Sequence, residues 1–226
     1  MEQNAMMSGQ YDVVSFAVML ALLTLVPLMV VTTTSFLKIS LVLLVLRNAI
    51  GVQQVPPTLA IYGISLALSV FVMAPTLQEM GKHVASIEPV SSKSRATTMP
   101  VIEQAQEAFE PVRKFMLRFA KPEQRELFLA SAKKLWPKDI ADEAKSTDAL
   151  VLIPAFVVSE LQTGYEIGFL IYIPFVVIDL LISNLLMALG MQQVSPQTIT
   201  VPLKLLLFSL VDGWGKLLNA LAMSYL

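Results

Sequence analysis

Residues 150 to 226 read almost without interruption as an apolar run, yet Glu160, Glu166, Asp179, Lys204, Asp212 and Lys216 fall inside it. A charge at the centre of a bilayer costs about 2.5–3.5 kcal/mol or more unless it is paired or faces water. A helix bathed in lipid does not carry so many. Pro154, Pro174, Pro196 and Pro202 also punctuate the run. Broken apolar helices with interior charges occur where protein covers the backbone or where the helices line a conduit. The stretch therefore predicts protein-on-protein packing rather than simple anchoring.

Composition narrows the class. The chain is 55% hydrophobic and 15% charged, against about 45–50% and about 25% in soluble domains. A net charge of -1 gives no basic surface for nucleic acid. There is no Cys, so disulfide and thiol chemistry are out. His83 is the single histidine, which argues against a histidine-based metal centre in one chain. No P-loop, glycine-rich dinucleotide turn or nucleophile–base pair is present, so neither an enzyme nor a cofactor is expected. Glu160, Glu166 and Asp179 could relay protons, which makes a secondary transporter or channel subunit the alternative function. A plain membrane anchor is the third reading.

In chain order, residues 13–46 are apolar for longer than the ~20 residues that cross a bilayer. Pro27 predicts a break between helices at 13–26 and 28–47. Lys38 sits inside the second piece, free to reach an interface or pair with an acid on a neighbouring helix. GVQQVPPT at 51–58 is a turn, and a helix at 59–75 ends near Pro75. Gly51, Gln53, Gln54, Val55 and Pro57 match Gly190, Gln192, Gln193, Val194 and Pro196 at one offset. Both turns are expected to be hairpin tips on one side of the molecule.

Residues 79–149 hold most of the charges. Residues 90–100 read as a loop. Residues 103–120 place Ala105, Phe109, Val112, Met116 and Phe119 on one stripe, with Pro111 able to start a new helix. Residues 121–136 begin with Pro122 near the first helical position, and Leu127, Phe128, Ala132 and Leu135 give an apolar face. The expected architecture is all-α. Its parts are an N-terminal apolar hairpin region at 1–78, a soluble helical periplasmic insert at 79–149 and a C-terminal apolar hairpin region at 150–226. In the last region helices are expected at 150–162, 164–190 and 201–224. Gly164 and Gly168 make a G-x-x-x-G spacing that lets backbones approach closely. Lys38, Arg47 and Lys204 flank the short turns, so the positive-inside rule faces those turns to the cytoplasm and leaves the insert periplasmic.

Unpaired, Glu160 or Lys204 would be costly in an apolar setting. The two are expected to pair between neighbouring copies of the chain, with Lys38, Glu166, Asp179 and Asp212 as further buried charges.

Several long blocks carry a family resemblance in the same order. These are TSFLKISLVLLVLRNAIGVQQVPP from 34, LIPAFVVSEL, IGFLIYIPFVVIDLLISNLLMALGM and VPLKLLLFSLVDGW. They resemble the export-apparatus family of type III secretion and flagella, named SctR in injectisomes and FliP in flagella. The resemblance implies a pore-forming core subunit, assembled as five copies with SctS-like and SctT-like proteins at the bacterial inner membrane. Unfolded secreted proteins pass through, and lipid or detergent surrounds part of it. In the family the turn after the long helix carries consecutive methionines that form a gasket at the narrowest point of the pore. Here Met191, Gln192 and Gln193 occupy that place, a more polar constriction. Flagellar relatives often begin with a cleaved signal; MEQNAMMSGQYD has no basic residue, so the first apolar segment is expected to be retained.

Overall fold

The computed structural model describes residues 16, 20, 21, 23–52, 55–86 and 99–226, all in helices and turns. The helices are α1 (Leu23–Thr33), α2 (Phe36–Ile50), α3 (Thr58–Ser86), α4 (Met99–Phe119), α5 (Pro122–Leu135), α6 (Lys138–Ala141), α7 (Ala149–Ala188), α8 (Gln197–Leu210) and α9 (Gly213–Met223). The Ala105 side chain, Gln53 and Gln54, and most of the expected loop at 90–100 lie outside the described residues.

The fold is wrapped around α2. Ile39, Val42, Leu43, Leu46, Ala49 and Ile50 are all buried, and α3, α7 and α8 pack against it. Helix α3 approaches through a seam of small hydroxyls. Ile61, Ser65, Ser69 and Met73, spaced four apart, are buried, and the Ser35 hydroxyl donates to Ser69 Oγ at 3.0 Å. Residues four apart share a helix face, so short side chains there bring the two backbones together. On the other side Gly164 and Gly168 of α7 lie against Leu41 and Val45. A Cβ at Gly164 would sit 2.9 Å from Leu41 Cδ2, and one at Gly168 3.0 Å from Val45 Cγ1. The G-x-x-x-G pair thus closes a contact within one chain.

Several breaks fall elsewhere than the prolines suggest. The first apolar run continues through Pro27 and turns by 70° between α1 and α2. At that corner Thr33 and Thr34 donate to the carbonyls of Met29 and Val30 at 2.7 and 2.6 Å. Such back-bonding competes with the helical ladder. Helix α3 runs through Pro75 to Ser86 because its far half packs on α4. Helix α4 runs through Pro111, and α7 continues through Pro154, Gly164 and Pro174 for 40 residues. At 1.5 Å per residue it is ~60 Å long. The expected helix at 201–224 is instead α8 and α9, bent by 64°.

The charged insert is not a separate body. Val112, Met116 and Ala120 form a buried cluster with Leu152 and Phe156 of α7. The Lys121 amide donates to Ser159 Oγ at 2.9 Å, and Lys121 Nζ lies 3.0 Å from Glu166. The first half of α7 therefore belongs to the insert's packing, and the expected boundary at 149/150 falls inside that unit. Of the α5 face, Ala132 is buried, but Leu127 and Leu135 point outward, since α5 contacts α7 over one narrow stripe. Thr58–His83 and Ala149–Ala188 are long and apolar enough to cross a membrane, and each bent pair would add one more span.

Within the insert, hydrogen bonds from Arg113 hold the Glu110 carboxyl below its ordinary range. Because the native value is lowered, this contribution is complete above the ordinary glutamate range and lost as pH falls through the native value. Acid unfolding of wild type and Arg113→Met should show it: the variant loses less stability over that window. A second expectation concerns the α2–α7 seam. Gly164→Val should cost about 1–3 kcal/mol by overpacking, read as a lower unfolding midpoint in detergent, and Leu41→Ala should restore part of it.

Candidate functional site

Two ionic clusters and one turn gather the chain's chemically distinctive residues. The first cluster lies where α2, α4, α7 and the residues after α9 meet. Glu160 and Lys38 are both 2% exposed, with Nζ 3.6 Å from Oε1. The Tyr225 hydroxyl donates to Glu160 Oε2 and lies 3.4 Å from the Ser35 carbonyl at the α1–α2 corner. Lys38 Nζ stands 3.5 Å from the centre of the Tyr225 ring, close enough for a cation–π contact. The same ring stacks on Phe115 and meets Phe119 edge-on, at 5.8 and 4.9 Å. Arg118 donates to the Leu226 carbonyl.

The second cluster is at the other end of α2. Lys204 on α8 is 2% exposed, and its ammonium donates to Asp179 Oδ2 at 2.6 Å and to the Ala49 carbonyl at 3.0 Å. Ala49 is in the last turn of α2, where carbonyls lack helical partners and the helix end is partly negative. One cation thus ties α2, α7 and α8. Glu160 and Lys204, expected to pair with each other across copies, each have full partners within one chain.

Of the other charges expected to be buried, Lys38 is. Glu166 and Asp179 have side chains 64% and 44% exposed, and Asp212 is exposed at the α8–α9 bend with φ 52°. The reason is common to all three: among the described residues no helix covers that side of α7 or the bend. The same surface leaves Phe169, Leu170, Leu180, Leu181 and Leu206 exposed.

The turn after α7 is a Schellman cap. The amide of Met191 donates to the Leu186 carbonyl at 2.9 Å and that of Gly190 to Met187 at 3.0 Å, and Gly190 has φ 74°. Glycine adopts that conformation without the penalty a Cβ brings. The cap puts Met191, Gln192 and Gln193 at the exposed tip between α7 and α8. Gly51 has φ 90° and faces Val201, so the first turn sits beside the start of α8, at the same end of the fold. Among the described residues no group of three or more His, Cys, Asp or Glu is placed to hold a metal ion.

The FliP family profile matches residues 19–221. The chain belongs to the FliP family. Among its relatives in the family, a harpin secretion protein, HrpW, of Pseudomonas syringae pv. syringae is 50% identical over 93% of this chain and 99% of the relative. The harpin secretion protein HrcR of Erwinia amylovora is 46% identical over 98% and 100%. The Yop proteins translocation protein R of Yersinia pestis is 45% identical over 95% and 97%. In this FliP-family chain Tyr225 is the residue that sequence reasoning missed. A tyrosine just past an apolar helix carries no signal of its own, because its partners come from helices far away in sequence.

Removing one member of a buried ion pair strands the other, at about 3–5 kcal/mol. Lys38→Met and Glu160→Gln should each lower the unfolding midpoint in detergent strongly, and the double variant should cost less than their sum. Lys204→Met should cost less than Lys38→Met, since Asp179 already reaches solvent.

Proposed function

We propose that the chain is a pore-forming core subunit of the type III secretion export apparatus, part of the conduit that carries unfolded substrate proteins across the bacterial inner membrane. The observation that carries this is the near full-length similarity to proteins named for harpin secretion and Yop translocation. The uncovered apolar sides of α7 and α8, interrupted by Asp179 and Glu166, support packing against sister subunits rather than lipid alone. In this reading five copies form a ring with SctS-like and SctT-like partners. The insert faces the periplasm. The chain is a structural part of the apparatus rather than an enzyme, and it takes no cofactor.

Met191, Gln192 and Gln193 form the constriction. Methionine is flexible and polarizable, so a ring of such side chains can close on varied shapes. The two glutamines make the closure more polar. Glu160 of one copy takes up Lys204 of the next once assembly brings them together.

Native mass spectrometry after gentle detergent extraction tests the reading. The expected result is a pentamer, or a larger particle holding small helical partners; a monomer or dimer alone would count against it. In reconstituted assemblies, changing Met191, Gln192 and Gln193 to Ala should raise ion leakage. Conductance equal to wild type would remove the constriction from these residues.

A further inference from the structure

Glu160 has no free side in the single chain. Lys38 lies 3.6 Å from one oxygen, the Tyr225 hydroxyl serves the other, and the residue is 2% exposed. Lys204 is equally enclosed, held by Asp179 and the Ala49 carbonyl. Two groups that are each buried inside their own chain cannot meet across an interface as they stand. Each must be uncovered first.

The covers differ in how firmly they are built in. Lys38 belongs to α2, the most enclosed helix of the fold. Tyr225 follows α9, a helix of which only Gly213 and Leu221 are buried. Its hold on the rest rests on Leu221, on Leu217 and Leu218 against the α2 core, on the Tyr225 ring against Phe115 and Phe119, and on the hydroxyl at Glu160. Lys38 is carried by the central helix, whereas Tyr225 lies on the segment after α9, so lifting Tyr225 takes its ring out of the core cluster but leaves α2 in place. A hydroxyl donating to a carboxylate is also the contact most directly replaced by an incoming ammonium, because both supply a proton to the same oxygen.

We propose that Tyr225 is an assembly check. It is an intrachain hold that keeps Glu160 closed with Lys38 in the free subunit and lifts away when a neighbouring copy docks and brings its Lys204. The check rests on the copy-to-copy Glu160–Lys204 pairing proposed above. It accounts for a feature that pairing alone leaves unexplained: the acid destined for the interface is already satisfied before any neighbour arrives. The work of opening this closure falls on the docking step, so the free subunit resists premature self-association.

The sign of one substitution separates a check from a fastening. Tyr225→Phe keeps the ring and its packing and removes only the hydroxyl. A hydrogen bond to a charged group is worth enough to shift an equilibrium about tenfold. The full chain in mild detergent, followed by native mass spectrometry across concentration, should half-assemble at about one-tenth of the wild-type concentration when Tyr225→Phe is present. Tyr62→Phe, on α3 rather than on the α7–α8 surface, should change nothing. Unchanged or weaker assembly of Tyr225→Phe would make the residue a fastening only and overturn the check.

A double-mutant cycle of Glu160→Gln and Lys204→Met on assembly keeps the two ideas apart. Zero coupling removes the copy-to-copy pair itself. Clear coupling with no gain in Tyr225→Phe removes the check alone. A second measurement needs no loss of the residue: 3-fluorotyrosine placed at position 225 should show a fluorine resonance that moves towards the solvent-exposed value on assembly. The same resonance in free and assembled protein would also overturn the check.

Discussion

A carboxylate taken out of water must be met by partners on nearly every lone pair, or the folded state loses more than the surrounding packing supplies. Glu160 imposes that constraint on this fold. Satisfying it fixes the crossing of α2 and α7 through Lys38, draws the residues after α9 back across the molecule through Tyr225, and brings in α4 through the rings that stack on Tyr225. None of these elements is near the others in sequence. Apolar burial alone would hold them together in many registers, since Leu, Val and Ile faces are interchangeable. A buried polar junction accepts one register and penalises the rest.

Lys204 applies the same logic at the opposite end of α2, with less stringency. Its ammonium answers two different needs: a side-chain carboxylate on α7 and an orphaned carbonyl at the end of α2. Because Asp179 is open to solvent, that cluster tolerates disturbance better than the one around Glu160. Helix α2 is thus clamped firmly near its start and more loosely near its finish. The turns at Gly51 and Gly190, where the proposed constriction lies, are at the looser end.

Much of the helical plan was legible in the sequence. The apolar runs, the entry of α5 at Pro122, the stripe through Phe109, Val112 and Met116, and the glycine turns at 51 and 190 all follow from local rules of periodicity and backbone freedom. The positions of the bends did not. Proline was read as a breaker or a new start at 27, 75 and 111, yet the chain stays helical through each. The sharp corner falls at Thr34–Ser35, where hydroxyls draw carbonyls away from the ladder. Charge pairing was the least legible. Lys38, Glu160 and Lys204 were recognisable as residues needing partners, but which acid meets which base depends on how helices cross, and spacing along the chain does not record that. Exposure of Glu166, Asp179 and Asp212 was missed for a related reason: an apolar sequence context does not say which side of a helix has a neighbour.

The length of α7 has a mechanical consequence. At ~60 Å it is about twice the thickness of a bilayer's hydrocarbon core, and the insert grips only its first half. A helix is stiff along its axis, so a push delivered to the half gripped by the insert is carried towards the half that packs on α2 and α8. Pro174 removes one backbone donor within that second half and offers a flexing point between handle and tip. The chain is in effect a lever. Its arm reaches from the charged insert to the turn at Met191 within one helix, so strain felt at the insert is delivered to that turn along α7.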